Sequence, residues 1–312
     1  MPPANIESTT REGYPAVTVK DGDLTATFVP QLGMIGASFT HRGEELLGQR
    51  NGLPAYEARG STMGIPLLYP WANRLSGFHY EVAGKHVTID GDSPLVKVDE
   101  NGVPIHGLLN ASPYWRAQPA GEAALTAVLD WGAHPELLEA FPFPHEMRLQ
   151  AGLADGRLTI TATVTATTDP VPVSFGFHPY LTLPDVSRAD WHIELPVTEQ
   201  LVLDDQSIPT GATEPANIPP GPLGDRTFDD GYAQLTGDPP TFVLQGGGRR
   251  IELSFDSGYD YAQVYAPEGQ DLICFEPMTA ATNALVAAGP GLQVLEPGDE
   301  KKAAFSIAVK DA

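Results

Sequence analysis

Cysteine is nearly absent: Cys274 is the only one, which excludes an internal disulfide framework and any cysteine-rich metal site. Basic residues are scarce as well, 18 Lys and Arg against 40 Asp and Glu, for a formal charge of −22. A chain that binds a polyanion needs a basic face to replace condensed counterions, so no nucleic-acid partner is expected. No stretch approaches the roughly 20 apolar residues that cross a bilayer, so no membrane partner is expected either. The opening MPPANIESTTREGYP lacks the basic start, apolar run and cleavage pattern of a secretory leader, and the expectation is a reduced, cytoplasmic protein. Asn110-Ala111-Ser112 matches a glycosylation sequon, but Pro113 follows it and the match reads as chance. Charge is sparse at 19% of residues beside 42% hydrophobic, a balance that supports a large core and argues against disorder.

Turn formers, by contrast, are abundant: 32 Gly and 30 Pro, spread without period among short alternating segments. Leu158, Ile160, Ala162, Val164 and Ala166 alternate with four threonines, which predicts a half-exposed strand. Val17 to Lys20 and Leu24 to Phe28 flank Asp21-Gly22 and predict a hairpin, because Asp-Gly tolerates the positive φ angles of a tight turn. Further hairpins are expected near residues 241–255 and from Tyr259 to Glu276. Helical signals are confined to Pro135–Phe141 and a turn after Thr282, while residues 204–226 read as a long surface loop. The pattern predicts one all-β domain of packed antiparallel sheets over residues 1–312.

Several segments carry groups suited to chemistry. In Val171 to Tyr180, strand alternation sends Val171, Val173, Phe175 and Phe177 to the core and puts Ser174, Gly176 and His178 on the other face, with space above the small residues. Pro179 should end that strand and leave His178 at a rim, where it reads equally well as a structural histidine. Leu272 to Phe275 is apolar on both faces, as an interior strand is, and closes on Glu276-Pro277. A carboxylate there needs donors, a ligand or a raised pKa, unless it is half of a structural ion pair. Together His178 and Glu276 could supply an acid and a base. In residues 64–77, Tyr69 and Trp71 form an aromatic platform beside Asn73 and Arg74, a set suited to a sugar, although aromatics near Pro and Gly also serve as loop packing. His106-Gly107 and Asp229-Asp230-Gly231 add an imidazole beside a close approach and two carboxylates in a turn. Gly246-Gly247-Gly248-Arg249-Arg250 lacks the lysine, hydroxyl and helix of a phosphate loop, and the remaining histidines show no metal-ligand spacing.

With these segments in order, PWANRLSG (70–77), IHG (105–107), SFGFHPYL (174–181), FDDGY (228–232), VYAPEGQDLICFEPMTAATNAL (264–285) and LEPGDE (295–300), the chain resembles the aldose 1-epimerase (galactose mutarotase-like) family. That resemblance implies a β-supersandwich with an open sugar cleft. It also implies interconversion of the α and β anomers of a free hexose, without cofactor or metal, on a monosaccharide substrate and by a monomer or homodimer. His178 takes the family's general-acid position and Glu276 its general-base position. Arg74, His106 and Asp229, with Asn73 and Trp71, take the substrate-binding positions, Asp230 being one residue away from the aspartate. Glu276-Pro277-Met278 is similar to the bacterial hexose-epimerase branches, including the sugar 6-phosphate type. The alternatives are a hexose-6-phosphate mutarotase, a sugar-binding protein without turnover, and a glycoside hydrolase or lyase on a similar architecture. Because Arg74 stands nearly alone among the basic residues, charge favours the neutral sugar. Acid–base work at neutral pH further predicts a raised pKa at His178 and hydrogen-bond donors around Glu276.

Overall fold

The threonine-rich alternation folds as its period dictates. In the computed structural model, which describes residues 5–59 and 61–312, Arg157–Ala166 is a strand with its aliphatic positions buried and its threonines half-exposed. It lies between His145–Ala154 and Glu300–Asp311, near the middle of a nine-stranded sheet that runs from Arg116–Pro119 to Gly221–Pro222. Residues 1–4, part of the segment read for a leader, lie outside the described residues. All three expected hairpins form: Tyr14–Asp21 with Leu24–Val29, Thr241–Gly246 with Arg249–Ser257, and Tyr261–Ala266 with Ile273–Met278.

Three larger sheets carry the architecture, of five, nine and eight strands, and every pairing between their named strands is antiparallel. The all-β expectation therefore holds. One cluster of buried side chains runs from Val19 to Ile307 and draws on all three sheets, so their apolar faces share a core. Among the described residues, α-helix is limited to Gly52–Glu57, Pro135–Ala140 and Ala284–Ala287. The last two were legible in the sequence; a six-residue helix with Pro54 inside its first turn gives no periodic signal. No helix among the described residues is long and apolar enough to cross a membrane.

Two expectations are corrected. Residues 204–226 are not one long loop: Pro209–Pro215 is the edge strand of the eight-stranded sheet and pairs with Val197–Leu203. Its side chains are almost all exposed, so no alternation of buried and polar residues announces it. The strand expected from Val171 to His178 breaks into Val171–Val173, paired with Gln293–Leu295, and Gly176–Phe177, in the eight-stranded sheet, with His178 beyond its end. An added Cβ at Gly176 would meet the Pro277 carbonyl oxygen at 2.6 Å, so the space imagined above that glycine is filled by the neighbouring strand.

Glycine is required at one point that places the site. Gly107 has φ +70°, and a Cβ there would lie 2.1 Å from the Tyr69 carbonyl oxygen. The same carbonyl accepts from the Leu108 N–H at 2.7 Å, while His106 N–H donates to the Asn73 carbonyl at 2.9 Å, so the segments 69–75 and 104–108 are laced together. Asn73 and His106 themselves have left-handed φ angles of 55° and 65°, a cost that this lacing sustains. Gly107→Ala is expected to lower unfolding free energy by about 3 kcal/mol, from backbone strain plus overpacking. A urea melt followed by tryptophan fluorescence checks this, and an unchanged midpoint would refute the close approach.

Candidate active site

Three adjacent strands build the floor of a cavity of about 280 Å³. On Ile273–Met278, on Tyr261–Ala266 and on Phe228–Leu235, alternation at period two brings Glu276, then Gln263 and Tyr265, then Asp229 to one face. Gln263 lies directly opposite Glu276 and donates through Nε2 to Asp229 Oδ1 at 2.9 Å. Asp230 points away and accepts from Gln200 Nε2 at 2.9 Å, which resolves the one-residue ambiguity in favour of Asp229 at the cavity. The strand that carries Glu276 is interior, with Tyr261–Ala266 on one side and Gly176–Phe177 and Tyr180–Leu181 on the other. It continues through Pro277 to Met278 and does not stop at the proline.

The wall comes from connecting segments. His178 N–H donates to the Pro66 carbonyl at 3.1 Å, and this anchors the imidazole between two short strands. Its Nε2 lies 3.2 Å from Glu276 Oε1, both side chains being almost wholly buried. His106 stands edge-on to His178 with ring centroids 5.5 Å apart. Arg74 lines the cavity and is held by Asp99 at 2.6 Å and Glu100 at 3.4 Å, with Asn73 Oδ1 accepting at 3.3 Å. Burial alone would raise Asp99, but the Arg74 hydrogen bond and the Val103 and Asn101 N–H groups hold it below the usual carboxylate range. Much of the Arg74 charge is therefore offset before any ligand arrives.

Of the seven residues singled out in the sequence, six line this one cavity: His178, Glu276, Arg74, His106, Asp229 and Asn73. Trp71 does not. It is 1% exposed and packed in the core, as is its platform partner Tyr69, whose hydroxyl is 2.6 Å from His145 Nε2. The rings that do reach the cavity are Tyr180 and Tyr265. Tyr265 shares its strand face with Gln263 at period two, but neither is signalled by the sequence, and Tyr180 opens a separate short strand after Pro179. Arg50, Thr62 and Lys97 also line the cavity and come from loops or a two-residue strand, where no periodicity exists to point at them.

The proton affinities depart from the sequence expectation. His178 is not raised but lowered to about 3, first because burial strips water from the imidazolium and next because the Arg50 charge opposes it. Glu276 is pushed well above the usual carboxylate range by burial and by Asp229, against a smaller pull from Arg74. The expected donors around its carboxylate are missing among the described residues: Oε1 faces His178 and Oε2 is buried without a partner. In the free cavity the pair accordingly favours carboxylic acid and imidazole. His106 is also held neutral, by burial and then by His178, so a ring nitrogen can either donate to or accept from a sugar hydroxyl according to its tautomer. No group of three or more His, Cys, Asp or Glu among the described residues is arranged to hold a metal ion.

Comparison with known proteins agrees with this geometry. The sequence matches the model of the aldose 1-epimerase family over residues 15–308. The fold is similar to that of a galactose mutarotase-like protein from Clostridium acetobutylicum, at 16% identity and TM-score 0.85 over 98% of each chain. It is also similar to a galactose mutarotase related enzyme from Lactobacillus acidophilus, at 18% identity and TM-score 0.77 over 95% of this chain and 97% of that one. A GalM/aldose epimerase homologue from C. elegans gives 17% identity and TM-score 0.74 over 95% of this chain and 99% of the other. These structures share the β architecture described above, and the sequence match extends over nearly all of it: the chain belongs to the aldose 1-epimerase family.

Proposed function

We propose that the protein is a cofactor-independent mutarotase that interconverts the α and β anomers of a hexose, with His178 and Glu276 as the proton-transfer pair. The observation that carries this reading is their 3.2 Å approach where floor and wall meet in one cavity that is lined otherwise by groups suited to hydroxyls. In the reaction, Glu276 takes the proton of the C1 hydroxyl while His178 gives one to the ring oxygen. The C1–O5 bond breaks to an open-chain aldehyde, rotation about C1–C2 presents the other face, and closure returns both protons. The imidazolium and carboxylate that start this cycle hold the same number of protons as the imidazole and carboxylic acid favoured in the free cavity. One transfer over 3.2 Å relates the two states. A sugar between them, donating O1–H to the carboxylate and accepting at O5 from the imidazolium, stabilises the charged state. Arg74, His106, Asn73 and Asp229 would orient the ring, and the half-buried Tyr265 offers a face to its C–H groups.

The cavity volume suits a monosaccharide better than a polymer, and an acid and base in mutual contact exceed what binding alone requires. These points favour the mutarotase over a hydrolase and over a binding protein. The shared buried cluster from Val19 to Ile307 supports a single domain.

One observation favours a second substrate reading. Arg74 is not the lone cation at the cavity: Arg50 and Lys97 also line it, and neither pairs with a carboxylate among the described residues. Arg50 reaches only the Thr62 carbonyl, at 3.5 Å, and the Tyr180 ring. Two such cations suit a sugar with an anionic substituent, such as a hexose 6-phosphate.

Anomer exchange followed by NMR should fall by about 10²-fold or more in His178→Asn and in Glu276→Gln; wild-type rates in both would end the acid–base reading. Arg50→Met with Lys97→Met should raise KM for glucose 6-phosphate at least tenfold and leave KM for glucose within about twofold if the substrate is phosphorylated; equal effects on both would favour the free hexose.

A stability consequence has a definite sign. Glu276 has its pKa raised on folding, so its contribution is fully present below the unfolded carboxyl pKa and is lost as pH rises through the folded value. Glu276→Gln, which carries no titratable proton, should therefore melt above the wild type at pH 8, with the gap shrinking toward pH 5. A thermal melt series over that range checks it, and a gap independent of pH would refute the raised carboxyl.

A further inference from the structure

Two turns of the chain share one design. In residues 99–103, Asp99 Oδ1 accepts from Asn101 N–H at 2.9 Å and from Val103 N–H at 3.1 Å, while the Asp99 N–H donates to the Val103 carbonyl at 3.0 Å. In residues 204–208, Asp204 Oδ1 accepts from the N–H groups of Gln206 and Ile208, both at 2.9 Å, and the Asp204 N–H donates to the Ile208 carbonyl at 2.9 Å. One carboxylate oxygen is enough to close such a turn. Asp204 is exposed, and its other oxygen has no hydrogen-bond partner among the described residues. Asp99 differs: its side chain is 2% exposed, and its other oxygen lies 2.6 Å from Arg74 Nε. The turn does not account for that second contact. Stability is weak grounds for it too, because desolvation offsets much of the attraction in a buried ion pair.

The place of the turn does account for it. It closes the hairpin of Lys97–Val98 with Pro104–Ile105, so Asp99 belongs to the segment that brings Lys97 and His106 to the cavity, although Asp99 does not line the cavity itself. A guanidinium has five N–H groups. Asp99 takes the one on Nε, Asn73 Oδ1 takes one on Nη1 at 3.3 Å, and Glu100 Oε1 takes one on Nη2 at 3.4 Å. One N–H is left on each terminal nitrogen for a ligand. The Nε contact is the shortest of the three and comes from a side chain fixed by two backbone N–H groups, so it sets the direction of the planar fork without occupying the fork's ends. Glu100 is 78% exposed at its side chain and holds Nη2 from farther away, so a sugar oxygen can displace it.

We propose that Asp99 is the positioning residue of Arg74: it ties the cavity-lining hairpin to Nε and thereby aims the two free N–H groups at the sugar. The proposal rests on the mutarotase reading above, in which Arg74 orients the ring. Asp99 acts only through Arg74, so losing it should resemble a partial loss of Arg74 and add nothing once Arg74 is gone.

The test is α-to-β exchange of glucose and of glucose 6-phosphate by the full-length protein, read on whichever sugar the wild type exchanges faster. The variants are Asp99→Asn, Asp99→Ser, Arg74→Met and the Asp99→Asn/Arg74→Met double variant, with Asp204→Asn as the turn control and His178→Asn and Glu276→Gln as references. Asparagine keeps an oxygen for the Asn101 and Val103 N–H groups but turns a donor toward Arg74 Nε; serine keeps a short acceptor for the turn and cannot reach the guanidinium. Each Asp99 variant should lower kcat/KM about tenfold, Asp204→Asn should stay within about twofold of wild type, and the double variant should be no slower than Arg74→Met. A role confined to the shape of the turn predicts otherwise: losses that multiply in the double variant, or an equal loss in Asp204→Asn. Either result would overturn the proposal, as would wild-type kcat/KM in both Asp99 variants or in Arg74→Met. If the two references are inert while the Asp99 variants are unaffected, only the positioning role falls. If the references are themselves as fast as wild type, the acid–base reading falls and takes this role with it.

Discussion

The structure depends on keeping two titratable groups in contact out of water. Glu276 is 1% exposed and His178 is 5% exposed, at a separation where ionisation of either in isolation would cost several kcal/mol. Such an arrangement does not stabilise the fold; it must be held by the rest of it. The holding elements are the interior strand beneath Glu276 and the backbone bond from His178 to Pro66, reinforced by a core that continues through all three sheets. A carboxyl and an imidazole displayed on loops could drift apart and hydrate. Set into the β framework, they can exchange a proton only with each other or with what enters the cavity.

The same constraint explains where strain is found. Asn73 and His106, both cavity residues, adopt left-handed backbone conformations within the laced segments 69–75 and 104–108. Gly107 allows the backbones to approach closely enough for that lacing. The cavity-facing side chains therefore come from two sources: the regular face of the sheet, which supplies Glu276, Gln263, Tyr265 and Asp229, and a strained rim, which supplies Asn73, Arg74 and His106. Regular strands fix relative positions well but can offer only every second residue. The rim supplies the remaining directions at a backbone cost.

What the sequence disclosed follows from this division. Hairpins and the Arg157–Ala166 strand were legible because alternation at period two is a direct record of burial on one face. Glu276 was legible because a carboxylate ending a run apolar on both faces has to be accounted for. Trp71 misled because a large ring next to Asn73 and Arg74 looks alike whether it faces a sugar or the core, and only packing decides. The exposed edge strand Pro209–Pro215 left no alternation to read. The proton affinity of His178 runs opposite to the sequence expectation for a physical reason: neighbouring carboxylates can be guessed from a motif, but desolvation depends on how deeply the motif is finally buried, and here burial, followed by the Arg50 charge, lowers it.

Net charge was the weakest guide, since it averages over the surface while a ligand meets only the cavity. The chain carries −22, yet Arg50, Arg74 and Lys97 converge on one small volume. Arg74 is tied to Asp99 and Glu100, whereas Arg50 and Lys97 form no ion pair among the described residues; burial first, and the Arg50 charge next, lower the proton affinity of Lys97 against a smaller pull from Glu100. A pair of like charges held close is maintained at a cost that an incoming anion relieves, and the acidic exterior does little to screen it over a cavity of this size. That same local positive charge acts on His178 through Arg50, so a substrate anion placed against Arg50 would also ease protonation of the imidazole. Binding and proton transfer are then coupled through one side chain: a sugar with an anionic group would help to generate the acid that opens its own ring.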